Sequence, residues 1–400
     1  MRRRGQLSPI APRNWRSGPV FLLVVLLGAG PALGAATFCN DRAGLETIVQ
    51  GRKEMLAKLG EGKYTELENF YGGLQKAYEA GIRTEAEAGA WFYAFHTSSN
   101  RYAPFFDEWV ARYPDSYAAK LAYAHHLLAV AWDKRGKKFA NETSGAQFAA
   151  QKLDLERMID VLNRADTLTR KPIVSQWLRI NMASAIAGRP VVVEMFQKAE
   201  RIDPANSTAK SAFIHASQPK WGGSVAALEK IQQTAQDSAL APDLKTFVEY
   251  HVTMALAEAA NLAEDRAAAI KRFERAAELC KAFQDPLERL LSLYKDDDNA
   301  AGVVSAAERY LAMNPNSGWA LVKIASAQGR LKRPQDSLRN YERAAQLGER
   351  TGVEGVAWHY ARGEAVARDP AKALELYEIV EARGGNVKDQ IERLRRELAK

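Results

Sequence analysis

Apolar residues along most of the chain recur at steps of three and four, the period of a helix with one buried face, and short Gly, Pro, Asn or Asp breaks interrupt them. Tyr64, Leu67, Tyr71, Leu74 and Tyr78 share one such face, and Leu155, Met158 and Leu162 form a second stripe in a helix expected over 148–165. Thr84 followed by Glu87 has the spacing of a capping box. Asp115 or Ser116, and Ser224, are placed to cap further helices. Helices are also expected over 45–59, 102–113, 173–187 and 191–202, with stops at Gly60, Gly81, Pro114 and Gly188. Val and Ile rarely alternate with polar residues, so the pattern offers no strand.

The second half is more regular. Ala269, Phe273 and Ala276 share a face, as do Ala306, Tyr310 and Met313, and then Ser337, Tyr341 and Ala344. The aromatics Phe273, Tyr310, Tyr341 and Tyr377 follow one another at 37, 31 and 36 residues. A period in that range marks stacked helical hairpins. Ala beside an aromatic lets two backbones approach while the ring fills the groove. The expected fold is all-α, an α-α superhelix, or solenoid, of helical hairpins.

These residues resemble known repeat families. Residues 318–349, with Leu321, Ile324, Ala325, Ser337, Tyr341 and Ala344, look like a tetratricopeptide repeat, and 250–281 and 173–204 look similar. The usual Gly and Tyr of the first helix are missing from several copies. Ala357, Tyr360, Gly363, Asp369, Ala373 and Tyr377 stand where a Sel1-like repeat places its residues. Residues of about 60–240, through Ala131-Trp132, Arg135-Gly136 and Pro219-Lys220-Trp221-Gly222-Gly223-Ser224, resemble a bacterial domain of unknown function built from tetratricopeptide-like helices. That resemblance implies a bacterial helical protein and supplies no activity. The organisation expected is a leader over 1–35, a helical domain over 36–240 and a tetratricopeptide/Sel1-like repeat region over 241–400.

The leader changes the reading of charge. Arg2, Arg3, Arg4, Arg13 and Arg16 precede the apolar run Val20–Leu27, and small residues follow around Ala32, Gly34 and Ala36. These are the three parts of a secretory signal, and the apolar run is short for a membrane span. A retained anchor is the other reading. The leader holds five Arg and no acid, so without it the formal net charge of +8 falls to +3. With no basic stripe interleaved with aromatics, nothing points to nucleic acid. Export to the periplasm or medium exposes the two cysteines, Cys39 and Cys280, to oxidation. At 241 positions apart they cannot be paired from sequence, and a bridge and two separate thiols both stand.

Catalytic signatures are missing. The sequence has no His-Glu-x-x-His, no phosphate loop, no Gly-x-Ser-x-Gly and no CxxC pair. The adjacent His125 and His126 point about 100° apart on a helix, so they do not easily share a metal, even with His96 nearby. Asp296-Asp297-Asp298 lacks the Gly bend and late Glu of a calcium loop and reads as a solvated turn. Arg135 beside Trp132 suits a carboxylate, or an ordinary pair with Asp133. Trp221-Gly222-Gly223-Ser224 reads either as an anion-holding run of amides or as a tight turn whose Trp plugs the core. If the repeat register holds, Trp177, Asn181, His251, Glu258, Asn261, Trp319, Ser326 and Arg330 line the inner groove, a lining suited to an extended peptide. The other reading makes Trp177 and Trp319 core residues.

The function expected is a non-catalytic scaffold that holds a protein or peptide of the cell envelope on its concave face, with no cofactor, no nucleic acid and no membrane span after cleavage. The alternatives are a cell-wall-associated enzyme or accessory factor, and a metal- or small-molecule-binding module around His96, His125 and His126.

Overall fold

The computed structural model describes residues 39–136 and 142–400. The leader reading over 1–35 lies outside them. Among the described residues there are nineteen α-helices and no strand, and successive helices pack against their neighbours in an all-α superhelical solenoid.

The first nine helices are α1 (Arg42–Gly60), α2 (Tyr64–Glu79), α3 (Glu85–Phe92), α4 (Ala103–Arg112), α5 (Tyr117–Arg135), α6 (Gly145–Ala165), α7 (Ile173–Ile186), α8 (Arg189–Ile202) and α9 (Thr208–Ala216). Their starts follow local chemistry. Thr84 and Glu87 form both bonds of the capping box on α3, and Ser116 Oγ accepts from the Ala119 amide to cap α5. One continuous core runs from Met55 to Ala216. At its centre is α5, in which every residue of Tyr117–Ala131 is buried. A helix buried all round needs neighbours on every side, and α2, α4, α6 and α7 supply them. Its many alanines let those neighbours approach closely. Trp109 is fully buried, with its indole N–H satisfied by Glu68 at 2.6 Å. Buried aromatics of this kind cost about 3–5 kcal/mol to truncate.

The rest of the chain forms α10 (Val225–Asp237), α11 (Pro242–Leu262), α12 (Arg266–Leu279), α13 (Asp285–Asp296), α14 (Ala300–Met313), α15 (Gly318–Arg330), α16 (Pro334–Gln346), α17 (Arg350–Arg362), α18 (Pro370–Ala382) and α19 (Lys388–Leu398). Each helix packs on the next, and α15 also touches α17. Phe273, Tyr310 and Tyr377 are buried on α12, α14 and α18, and Tyr341 on α16 is half-buried. Gly355 makes room for the Tyr341 ring, since a Cβ there would stand 2.3 Å from it.

The turns between hairpin helices carry a stricter period than the aromatics. Glu264, Asp298 and Lys332 all adopt left-handed backbone, with φ of 60°, 55° and 57°, and they sit 34 positions apart each time. Non-glycine residues seldom adopt that conformation. Its recurrence at one place in three successive hairpins means that one tight turn geometry is used three times.

Packing does not break between the two parts. Ile214, Leu228, Val248 and Val252 join α9, α10 and α11 in one cluster. Cys39 is bonded to Cys280, and the Ala282 amide donates to the Cys39 carbonyl at 2.9 Å. Of the two readings left open for the cysteines, the structure has the bridge. It fastens the segment before α1 to the end of α12.

Candidate functional site

The clasp places α1 alongside the α12–α13 turn, and the inner faces of the helices enclose two adjoining hollows. The outer one, of about 500 Å³, is lined by polar groups that include His215, Lys220, His251, Glu258 and Arg289, with Trp319 at its far side. The inner one, of about 540 Å³, is mostly apolar and is walled by Tyr93, Trp177, Phe247, Tyr250 and Phe283. His251 and Asp285 line both, so they stand at the junction.

The sequence placed eight residues on this face, and four of them line the hollows. His251, Glu258 and Trp319 meet in the outer hollow, and Trp177 and His251 in the inner one. Trp319 is 39% exposed, so it is not a core residue; it packs edge-on against Tyr310, with ring centroids 5.5 Å apart. The other four stand away from the two hollows. Asn181 donates back to the Trp177 carbonyl at 2.8 Å, Asn261 and Ser326 are exposed, and Arg330 pairs with Asp298 at 2.6 Å. None of these four lines either hollow. The reason is reach along the helix axis. The hollow meets α11 from His251 to Glu258 and α15 only at Trp319, while Ser326 and Arg330 lie about 10 and 16 Å further along at 1.5 Å per residue.

Sequence reasoning missed Arg52, Tyr93, Phe247, Tyr250, Asp285 and Arg289. Phe247, Tyr250 and His251 fall at i, i+3 and i+4, a pattern that could have been read. No sequence signal marks Arg52 or Asp285. Arg289 pairs with Glu258 at 2.8 Å. Its side chain is 60% exposed, so the pair contributes no more than about 1 kcal/mol and opens readily to an incoming charge.

All six histidines have pKa values below the usual range, and burial is the largest cause for each. His251 is pulled down to about 3, with the charge of His215 adding to burial. His215 falls to about 4, with Lys220 adding to burial, and His96 also falls to about 4. At neutral pH the hollows are therefore lined by uncharged imidazoles. The adjacent pair diverges as helix geometry requires. His125 stacks on Trp177 (5.5 Å, 18°), whereas His126 stacks on Phe106 and holds its Nδ1 2.6 Å from the Thr97 carbonyl. His96 lies near His125, with ring centroids 6.2 Å apart. Among the described residues no group of three or more His, Cys, Asp or Glu side chains is placed to hold a metal ion.

The Trp221-Gly222-Gly223-Ser224 segment is a tight turn, and the amides of Trp221, Gly222 and Gly223 are taken up within it. The Gly222 amide donates to the Pro219 carbonyl and the Gly223 amide to the Gln218 carbonyl. Gly222 needs its φ of 80°, and a Cβ on Gly223 would fall 1.9 Å from the Ser217 carbonyl oxygen. Ser224 caps α10, and Trp221 packs edge-on against Trp132. The guanidinium of Arg135 lies over Trp132, 5.9 Å from the ring centroid. In the acidic run, Arg266 pairs with Asp296 and Asp297, and Asn299 caps α14.

Residues 52–220 match the model of a family described as a domain of unknown function (DUF4034). The match covers less than half of the chain and follows the continuous core from Met55 to Ala216. It includes Arg52, Tyr93, His125 and Trp177 of the inner hollow and stops short of the α11 wall. No curated protein matches the chain. No helix among the described residues is long and apolar enough to cross a membrane.

Proposed function

We propose that this protein is an exported, non-catalytic scaffold that holds a peptide or protein segment of the cell envelope along its inner face. The observation that carries this reading is the outer hollow. There a half-exposed Trp319, neutral imidazoles and the surface pair of Arg289 and Glu258 stand together. Such a lining suits an extended chain, whose backbone needs donors and acceptors and whose side chains need shallow pockets. The 34-residue spacing of the turns supports the tetratricopeptide reading of α11–α16, because that is the length of one such repeat. The Cys39–Cys280 bridge supports export to the periplasm or beyond, because structural disulfides persist in oxidising compartments.

The test is capture from envelope extract with the full chain and with a Trp319→Ala/Arg289→Ala double variant. A specific partner should be recovered at least tenfold less by the double variant. A control change on exposed α16, Arg339→Ala, should leave recovery unchanged. Equal recovery by all three proteins, or none by the wild type, overturns the scaffold reading.

A further inference from the structure

The inner hollow has features that peptide-backbone binding does not require. His125 is 1% exposed, yet among the described residues neither of its ring nitrogens has a hydrogen-bond partner. A neutral imidazole carries one donor and one acceptor, and leaving both unmade in a buried site costs free energy. The ring lines the hollow and is held flat between Trp177 and Phe92, whose centroids lie 5.5 and 6.4 Å from its own. Its nitrogens are thus oriented by packing and unused by the fold.

Arg52 supplies the second, independent observation. Its Nε donates to the Ala90 carbonyl at 2.6 Å, and its guanidinium carbon lies 5.1 Å from the Tyr93 ring centroid. These two contacts pin the group against the wall of the hollow. Among the described residues its Nη atoms make no hydrogen bond and no carboxylate stands within ion-pair distance. Its electrostatic neighbours are Tyr93 and Tyr71. A half-buried, oriented guanidinium with its outer edge free is the two-pronged receptor for a carboxylate. The one acid among the described residues that line this hollow, Asp285, also borders the outer hollow and lies close enough to Tyr250 to act on it electrostatically.

We propose that the inner hollow binds an aromatic carboxylate, with the carboxyl on Arg52, the ring among Tyr93, Trp177 and Phe247, and His125 hydrogen-bonding a polar edge of the ligand. A volume of about 540 Å³ suits one ring and a short tail, and flat rings in the wall favour a flat guest through offset and edge contacts. One arginine matches one negative charge. The ligand has two possible sources: a free aromatic acid, or the C-terminal aromatic residue of a chain entering past His251. The assignment goes beyond the scaffold role, because a free acid can fill the hollow with nothing in the outer one.

The experiment is calorimetric titration of the full chain with indole-3-acetate, with the peptide Gly-Gly-Trp and with the C-terminal amide of that peptide. At least one of the two acids should bind, and the amide at least tenfold more weakly than the peptide acid if the peptide is the source. Binding of indole-3-acetate alone assigns a free acid, and binding of the peptide acid assigns a chain terminus. Arg52→Gln should weaken acid binding at least tenfold, with an unchanged circular dichroism spectrum. If that variant does not fold, Arg52→Lys, which keeps the charge and loses the fork, should weaken binding severalfold. Failure of both acids to bind wild-type protein at millimolar concentration, or equal binding of peptide acid and amide, overturns the proposal. Loss of envelope capture with acid binding retained would sink the scaffold reading alone.

Discussion

Residues 55–216 and the hairpins from α13 onward are built from the same kind of helix, yet they hold together differently. In the first region one core surrounds α5, with rings from Tyr64, Tyr71, Phe95, Phe106 and Trp109 in mutual contact. Beyond it the core breaks into smaller clusters, one around Leu287–Ile324 and another around Val353–Leu394, each shared by neighbouring helices. A centralised core unfolds as a unit, whereas a stack of hairpins is close to one-dimensional and opens locally. The functional groups follow the same division. Five of the six histidines, and most of the aromatic wall of the hollow, belong to the first region or to α11, which closes it.

Acidification should separate the two regions most strongly. Folded histidines whose pKa is depressed below about 6.5 resist protonation, and the unfolded chain accepts those protons first. Their stabilisation is therefore complete above about pH 6.5 and is lost as pH falls towards about 4 for His96 and His215 and about 3 for His251. Glu85 and Asp285, whose carboxyls burial raises, act in the opposite direction but are fewer. Hydrogen exchange followed from pH 7 to 4 should show α2–α9 losing protection while α13–α18, with His359 alone, keep theirs. Simultaneous opening of both regions would dissolve the distinction.

The clasp is the next lever. Cys39→Ser releases a closed loop of more than 200 residues, which on chain-entropy grounds removes about 5 kcal/mol. Because the bridge ties α1 to the end of α12, thermal unfolding of this variant should split into two transitions where the wild type shows one. A single transition with an unchanged midpoint would mean that the bridge does not couple the regions.

A smaller effect compares one carboxylate from each region. Glu85 is buried on α3 and accepts from the amides and hydroxyls of both Ser207 and Thr208, so it caps α9 across 122 positions. Glu85→Ala leaves those donors buried without partners and should cost about 2–4 kcal/mol in urea denaturation. Glu274, which pairs with Arg309 at 2.6 Å on the partly exposed surface of the repeats, should cost under about 1 kcal/mol on the same change. Equal costs would show that the repeats are as tightly interlocked as the first region.

Much of the helical framework was legible in the chain. The capping box at Thr84 and Glu87, the caps at Ser116 and Ser224, and the buried stripe of Leu155, Met158 and Leu162 all stand where the pattern put them. The aromatics spaced at 37, 31 and 36 marked hairpins but blurred their period, because packing tolerates a ring one turn away. The left-handed turn tolerates no such shift and repeats at 34. Of the residues read as groove lining, Trp177, His251, Glu258 and Trp319 border the two hollows, and Asn181, Asn261, Ser326 and Arg330 stand away from them.

What the sequence by itself determined is everything that acts within about one helical turn: where helices begin, which face is apolar and where the chain must bend. Such signals depend on groups no more than four residues apart, so composition and spacing carry them. The tertiary structure alone decided which faces meet. It bonded Cys39 to Cys280, set His125 against Trp177, and brought Arg52 to Tyr93. Those encounters depend on the summed rotations of many packed helices, and a small change at each turn would send the same side chains elsewhere.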